Sequence, residues 1–272
     1  MVETHLHEQR LRNWGQRPET RVTGPNAAAD LINRVGIATL FPASPEVPNL
    51  FHAYTGDPHA PISSKWDSPA GQVFGWRWEL GRPETAFYSA IVRKRPTWVS
   101  WALLPAVLRL CAELRTPDEL FDTGQISPAA YRIAQILDAS GPVLSTRELR
   151  RQAGFPMGKN HRAAYLKAVE ELDTRLILAK VFSPDGMEMS HALVSARYPQ
   201  HVEAAERLSR EEAMHRFLLT YLPQAVYVVP AVLAKHLTLP ERELLAGLQR
   251  PMLHSSPMLH SSMEASKGTE GQ

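Results

Sequence analysis

Between Ser145 and Lys167 six basic residues, Arg147, Arg150, Arg151, Lys159, Arg162 and Lys167, stand against one acid, Glu148. That local excess is larger than the formal +2 of all 272 residues. Lysine and arginine at this density bind phosphate oxygens by charge and by releasing condensed counterions. Asn160 and Arg162 carry the side chains that pair with base edges in a major groove. A second basic cluster, Arg93-Lys94-Arg95, follows Arg77 and Arg82. Aromatic residues are interleaved with it, among them Trp66, Trp76, Trp78, Phe87, Tyr88, Trp98 and Trp101. Flat rings beside positive charge hold unstacked bases, which makes Trp66, Trp78 and Tyr88 candidate stacking residues. For any single ring, packing into a core outweighs stacking on a base. Directly after the first cluster, Glu170, Glu171 and Asp173 oppose phosphate contact, and Lys167 could pair with the first two on a solvated helix face.

These side chains need elements to position them, and residues 126–198 are the most readable part of the chain. Ser127 caps a helix that has Pro128 at its first position and Ile133, Ile136 and Leu137 on its core face. Gly141-Pro142 ends it. Ser145-Thr-Arg-Glu148 is a capping box that opens a short helix stopping at Gly154. Asn160 caps a longer helix in which Tyr165, Val169, Leu172 and Leu176 recur at helical spacing. The runs Ile177–Phe182 and Met187–Ser195 flank Ser183-Pro-Asp-Gly186 and read as a hairpin. Three helices followed by a hairpin is the order of a winged helix, whose second helix and start of third face DNA.

The rest of the chain gives coarser expectations. Residues 1–24 read as a polar lead-in, partly disordered, and Asn26 caps a helix carrying Ala29, Leu31, Ile32 and Val35. Residues 41–75 read as long loops, and 84–114 as helix interrupted at Pro96 and Pro105. Trp76 and Trp78 would share one face of a strand. On this reading 25–124 is a helical, winged-helix-like domain with a long loop, and 125–199 is the winged helix. A degenerate second copy spans 200–250, with a capping box at Ser209-Arg-Glu-Glu212, a helix starting at Pro230 and another opened by Thr238-Leu-Pro-Glu241. The tail 251–272, with Pro251-Met-Leu-His-Ser-Ser256 repeated as Pro257–Ser262, reads as disordered. The expected fold is mainly α with small β wings, in a tandem winged-helix arrangement.

Composition excludes several classes. Thirty basic against 28 acidic residues is neither histone-like nor polyacidic. The single cysteine, Cys111, excludes a disulfide framework, and its apolar helical surroundings suit burial better than nucleophilic chemistry. No leader pattern and no long apolar run is present, so a cytoplasmic setting without membrane contact is expected, nucleoid-associated if DNA is bound. Gly154-Phe-Pro-Met-Gly158-Lys159-Asn160 imitates a phosphate-binding loop but is one residue short and has Asn where the magnesium hydroxyl belongs. His5 and His7 have no third ligand at metal spacing. No cofactor and no metal is expected.

Three segments, Val35-Gly-Ile-Ala-Thr-Leu-Phe-Pro42, Arg93-Lys-Arg-Pro-Thr-Trp-Val-Ser100 with Leu103-Leu-Pro105, and Leu144-Ser-Thr-Arg-Glu-Leu149, resemble the AlkZ/YcaQ group and more closely its shorter AlkZ-related branch. The resemblance implies tandem winged helices, double-stranded and damaged DNA as partner, and release of alkylated or crosslinked bases without a metal. It also implies a catalytic Gln-x-Gln pair, whose positions fall here on Thr39 and Phe41. A phenyl ring cannot hold the attacking water of N-glycosidic hydrolysis, and a threonine is a poor base. A replacement carboxylate would be Asp67 or Glu79, with Glu84 nearby, acting beside a base stacked on Trp78. Three readings result: a glycosylase-like DNA-binding protein, a non-catalytic DNA-binding regulator or lesion sensor, and a protein-interaction scaffold. The last is suggested by the acidic end of the 160–176 helix and the balanced charge of 202–250. Protein partners are left open.

Overall fold

A computed structural model describes residues 2–141, 143–155 and 158–249. The chain is mainly helical with two small antiparallel sheets. The first stretch contains α1 (Val2–Asn13), α2 (Pro25–Val35), β1 (Ile37–Thr39), α3 (Leu50–Thr55), α4 (Pro69–Gly81), β2 (Phe87–Val92), β3 (Arg95–Val99) and α5 (Leu104–Cys111). Four expectations are corrected here. Residues 2–24 are no loose lead-in, because α1 packs through Leu11 and the buried guanidinium of Arg10, and Trp14 directly after it is buried as well. Helix α2 starts at Pro25 behind Gly24 rather than at Asn26, since proline has its φ already set for the first helical position. The 41–75 stretch holds α3, capped by the Asn49 side chain, and the start of α4, capped by Ser68. Trp76 and Trp78 lie on α4, where two residues turn through about 200°. They therefore meet different partners, Trp76 packing on Tyr54 at 5.0 Å and Trp78 on Phe182 at 5.3 Å.

The 84–114 region forms a hairpin and then α5, with β3 central in the order β1-β3-β2. Arg93 and Lys94 turn the hairpin with φ of 50° and 61°. Positive φ at both central residues is the two-residue turn whose twist matches its strands. Pro96 has no N–H to give the ladder, and the β2–β3 register shifts between Ser89 and Val92 beside it. Pro105 sits in the first turn of α5 and interrupts nothing.

The middle stretch follows the expected order more closely: α6 (Pro117–Asp122), α7 (Pro128–Ala139), β4 (Leu144–Ser145), α8 (Thr146–Gln152), α9 (Lys159–Thr174), β5 (Leu178–Phe182) and β6 (Met189–Leu193). Ser127 and Ser145 cap α7 and α8 through their hydroxyls. Helix α9 begins at Lys159 behind Gly158, so Asn160 lies in its first turn instead of capping it. The three strands form a sheet in the order β4-β6-β5. Ile133, Leu137, Leu149, Tyr165 and Leu172 gather into a small core under it.

Helices α10 (Val194–Arg197), α11 (Pro199–Glu206), α12 (Arg210–Ala225), α13 (Pro230–Leu237) and α14 (Glu241–Leu248) complete the described chain. The capping box at Ser209 and the start at Pro230 form as expected. Thr238 instead closes α13 with φ 57°, and Pro240 precedes α14. These helices share a core with the first stretch: Phe217, Leu218, Leu233 and Leu244 join Leu31, Phe51, Val99 and Leu104. The larger core is thus built from both ends of the chain, and the smaller one is inserted between them. Strand β5 joins the two, with Leu178 in the smaller core and Phe182 in the larger, edge-on to Trp78 and Tyr88 and stacked on Trp98. Gly81 leaves room for Phe182, since a Cβ there would lie 2.2 Å from its ring. The 251–272 tail and its duplication lie outside the described residues.

Candidate nucleic-acid interface

Helices α8 and α9 carry the first basic cluster, and their side chains divide by partner. Arg147, Arg162 and Lys167 are exposed and make no ion pair among the described residues. Arg151 forms a two-pronged contact with Glu148, whose carboxyl is held down to about 2 by hydrogen bonds from Arg151 and then Gln152. Arg150 donates to the Gly158 carbonyl, which ties α8 to the start of α9. The side chains of Lys159 and Asn160 lie outside the described residues. Arg132 on α7, a residue without any distinguishing sequence pattern, brings a further guanidinium close to Gly154 in the α8–α9 loop.

The three acids that follow on α9 are all engaged by the protein itself. Glu170 meets Lys94 at 2.5 Å, and Glu171 accepts from the backbone and hydroxyl of Ser127. Asp173 is buried against Lys180, and its carboxyl is raised because desolvation outweighs that lysine. Lys167 therefore does not spend its charge on Glu170 or Glu171, as a solvated paired face would require.

The contact between Lys94 and Glu170 also places the second basic cluster. Arg93, Lys94 and Arg95 form the exposed tip of the β2–β3 hairpin beside α9. The Arg93 N–H donates to the His236 carbonyl and its guanidinium to the Ala43 carbonyl. Lys235 in the last turn of α13 thus extends the basic surface, a proximity that only the tertiary fold creates.

The aromatic candidates separate cleanly. Trp78 and Tyr88 are 5% and 7% exposed, their rings are packed around Phe182, and neither offers a face to a base. Burial pushes the Tyr88 hydroxyl up to about 12. Trp66 is 67% exposed in the loop before α4, and its ring meets Phe74 edge-to-face at 5.9 Å. Arg77 lies over the other ring partner, 3.7 Å from the Phe74 centroid.

The candidate carboxylates are not brought together. Asp67 is exposed before the first turn of α4 and Glu79 is exposed near its last, about 15 Å further along a helix rising 1.5 Å per residue. Glu84 is taken by Arg197 at 2.6 Å. Thr39 is fully buried on β1, where both its N–H and its hydroxyl reach the Pro48 carbonyl. Phe41 packs on Phe51 at 5.8 Å. Desolvation pushes the Cys111 thiol up to about 12. A cavity of about 580 Å³ opens between the two cores, lined by Leu108, Leu114, Ala134, Ile177, Val202 and Glu206 among others. None of the candidate residues lines it.

No helix among the described residues is long and apolar enough to cross a membrane. No curated protein matches the chain. Among solved structures, the Streptomyces sahachiroi DNA glycosylase AlkZ is similar at 14% identity with a TM-score of 0.49. That similarity covers 88% of this chain but only 64% of the other, so the chain spans less than two thirds of its length. A family model described as AlkZ related matches residues 22–236. The chain belongs to the AlkZ-related family.

Proposed function

We propose that the chain binds double-stranded DNA, with α7, α8, α9 and the β4-β6-β5 sheet acting as a winged helix and α9 facing the groove. The observation that carries this reading is the division of charge on α8 and α9. Arg147, Arg162 and Lys167 are exposed without ion-pair partners among the described residues, while Glu170, Glu171 and Asp173 are engaged internally. Cations left in solvent neutralise phosphates, and each phosphate contact contributes about −0.9 to the slope of log affinity against log salt. Family membership makes damaged duplex the first substrate to try.

Recognition of DNA without base release is the form of this function we favour. A residue that positions the attacking water must present a polar atom to it. Thr39 has its hydroxyl on Pro48 with no exposed surface, and Phe41 has no polar atom. A second reading, N-glycosidic hydrolysis, is favoured by one observation, the adjacent exposure of Trp66 and Asp67. A ring to stack on and a carboxylate beside it are two parts of a base-releasing site.

The test is anisotropy of labelled duplex, plain and alkylated, over a salt series, with abasic sites scored in parallel. Salt-sensitive binding without abasic sites supports the favoured reading. Abasic sites that vanish in Asp67→Asn support hydrolysis. Absence of binding at low salt overturns both and leaves the scaffold reading.

A further inference from the structure

The geometry points to the β2–β3 hairpin, which belongs to the larger core, as the wing that accompanies α9 on the nucleic acid, in place of the hairpin that follows α9 in sequence. This rests on the proposal that α9 faces DNA. In a winged helix the turn beside the recognition helix supplies further backbone contacts, and phosphate contacts require donors or positive charge. The β5–β6 turn is unsuited to that. From Val181 to Ser190 it carries Asp185 and Glu188 and no basic residue. It is also tied down from behind, because Arg82 donates to the carbonyls of Ser183 at 3.3 Å and Gly186 at 2.9 Å.

The β2–β3 turn has the opposite character. Three consecutive cations, Arg93, Lys94 and Arg95, are exposed at its tip, and Lys94 already touches α9 through Glu170. Lys167, one helical turn before Glu170, continues the same surface. The turn conformation is one that Asn-Gly adopts freely, whereas Arg93 and Lys94 hold positive φ against the steric preference of side-chain-bearing residues. The Arg93 N–H bond to His236 fixes the tip. Charged residues kept in a strained turn point to a role for the charge itself. Glu170 holds Lys94 in place in the free protein, and an incoming phosphate would compete with it.

The experiment compares salt slopes on one plain DNA duplex for the whole protein and four variants. Arg95→Gln removes a guanidinium without a protein partner among the described residues, and Arg93→Gln/Arg95→Gln removes two charges. Asp185→Asn reports on the β5–β6 turn, and Arg162→Gln/Lys167→Gln reports on α9. The expected result is a slope shallower by about 1 for Arg95→Gln and about 2 for the hairpin pair, with Asp185→Asn unchanged. Thermal midpoints check that each variant is folded. An unchanged slope for Arg95→Gln, while Arg162→Gln/Lys167→Gln flattens it, overturns the hairpin assignment and leaves the proposed function standing. No binding by the unaltered protein overturns both.

Discussion

The Glu171 carboxylate on α9 accepts from the Ser127 backbone N–H at 2.9 Å and from its hydroxyl at 2.7 Å, so an acid of one helix completes the N-terminus of another. Ser127 in turn caps α7 by accepting from the Ala130 N–H. Replacing Glu171 with Ala removes both contacts and a negative charge at a helix N-terminus, for a loss of about 1–2 kcal/mol in urea unfolding. Glu170→Gln, which breaks only the exposed pair with Lys94, should cost less than about 1 kcal/mol. Equal losses would mean that the Ser127 contact contributes nothing special.

Arg10 and Glu46 are 3% and 2% exposed and form a buried pair that joins α1 to the 41–48 loop and the end of α12. Tyr221 donates to both the side chain and the carbonyl of Glu46. Arg10→Met leaves that carboxylate buried without its countercharge, and a loss of about 3–5 kcal/mol is expected. The double variant Arg10→Met/Glu46→Gln removes the stranded charge and should regain part of the loss. A double variant less stable than Arg10→Met would contradict this account.

His191 supplies a pH dependence. Its Nε2 lies 3.0 Å from the Thr146 hydroxyl, which itself donates to the Met189 carbonyl at 2.6 Å. That bonding requires the Nε2–H form, and leaves Nδ1 buried without a partner among the described residues. Desolvation first, and Lys180 second, hold the ring down to about 4. A histidine depressed on folding stabilises the protein fully above its unfolded value near 6.5, and the stabilisation fades as pH falls from there towards 4. The span corresponds to about 3 kcal/mol at most. Urea midpoints should drop between pH 7 and 4 in the parent and drop less in His191→Gln. Parallel pH curves would remove His191 from the explanation.

Gly81→Ala tests the joint between the cores. The added methyl collides with the Phe182 ring, which Trp78, Tyr88 and Trp98 prevent from retreating. Overpacking of this kind costs about 1–3 kcal/mol. Gly81→Ala/Phe182→Leu should relieve part of it, and a simple additive loss would show that the two sites do not touch.

Local signals in the sequence were legible wherever one short stretch determined its own geometry. Ser127, Ser145 and Ser209 bond amides only three residues ahead, so their caps could be read directly. The 177–195 hairpin announced itself through Pro-Asp-Gly. By contrast, the β2–β3 turn uses Arg-Lys where Asn-Gly would be the signal, and Pro96 argued against the strand it occupies. Trp76 and Trp78 imitate the alternation of a strand, but their burial is set by two separate partners, Tyr54 and Phe182, that sequence spacing does not reveal. Helix α1 has a weak apolar stripe because a guanidinium, that of Arg10, does much of its packing. The neighbourhood of Lys94 and Glu170 joins residues 76 positions apart, and no pattern along the chain encodes it.

The division of the larger core between the two ends of the chain has a consequence during synthesis. Residues 14–111 leave the ribosome with Leu31, Phe51 and Leu104 lacking the α12–α14 side chains that will cover them. At about 5–20 residues per second the wait until Leu244 emerges is on the order of ten seconds. The inserted smaller core needs no such wait, since Leu120 to Leu193 are continuous. Newly made chains would therefore carry a finished module between two unfinished flanks, and the long-lived apolar surface of the first flank is where a chaperone would bind.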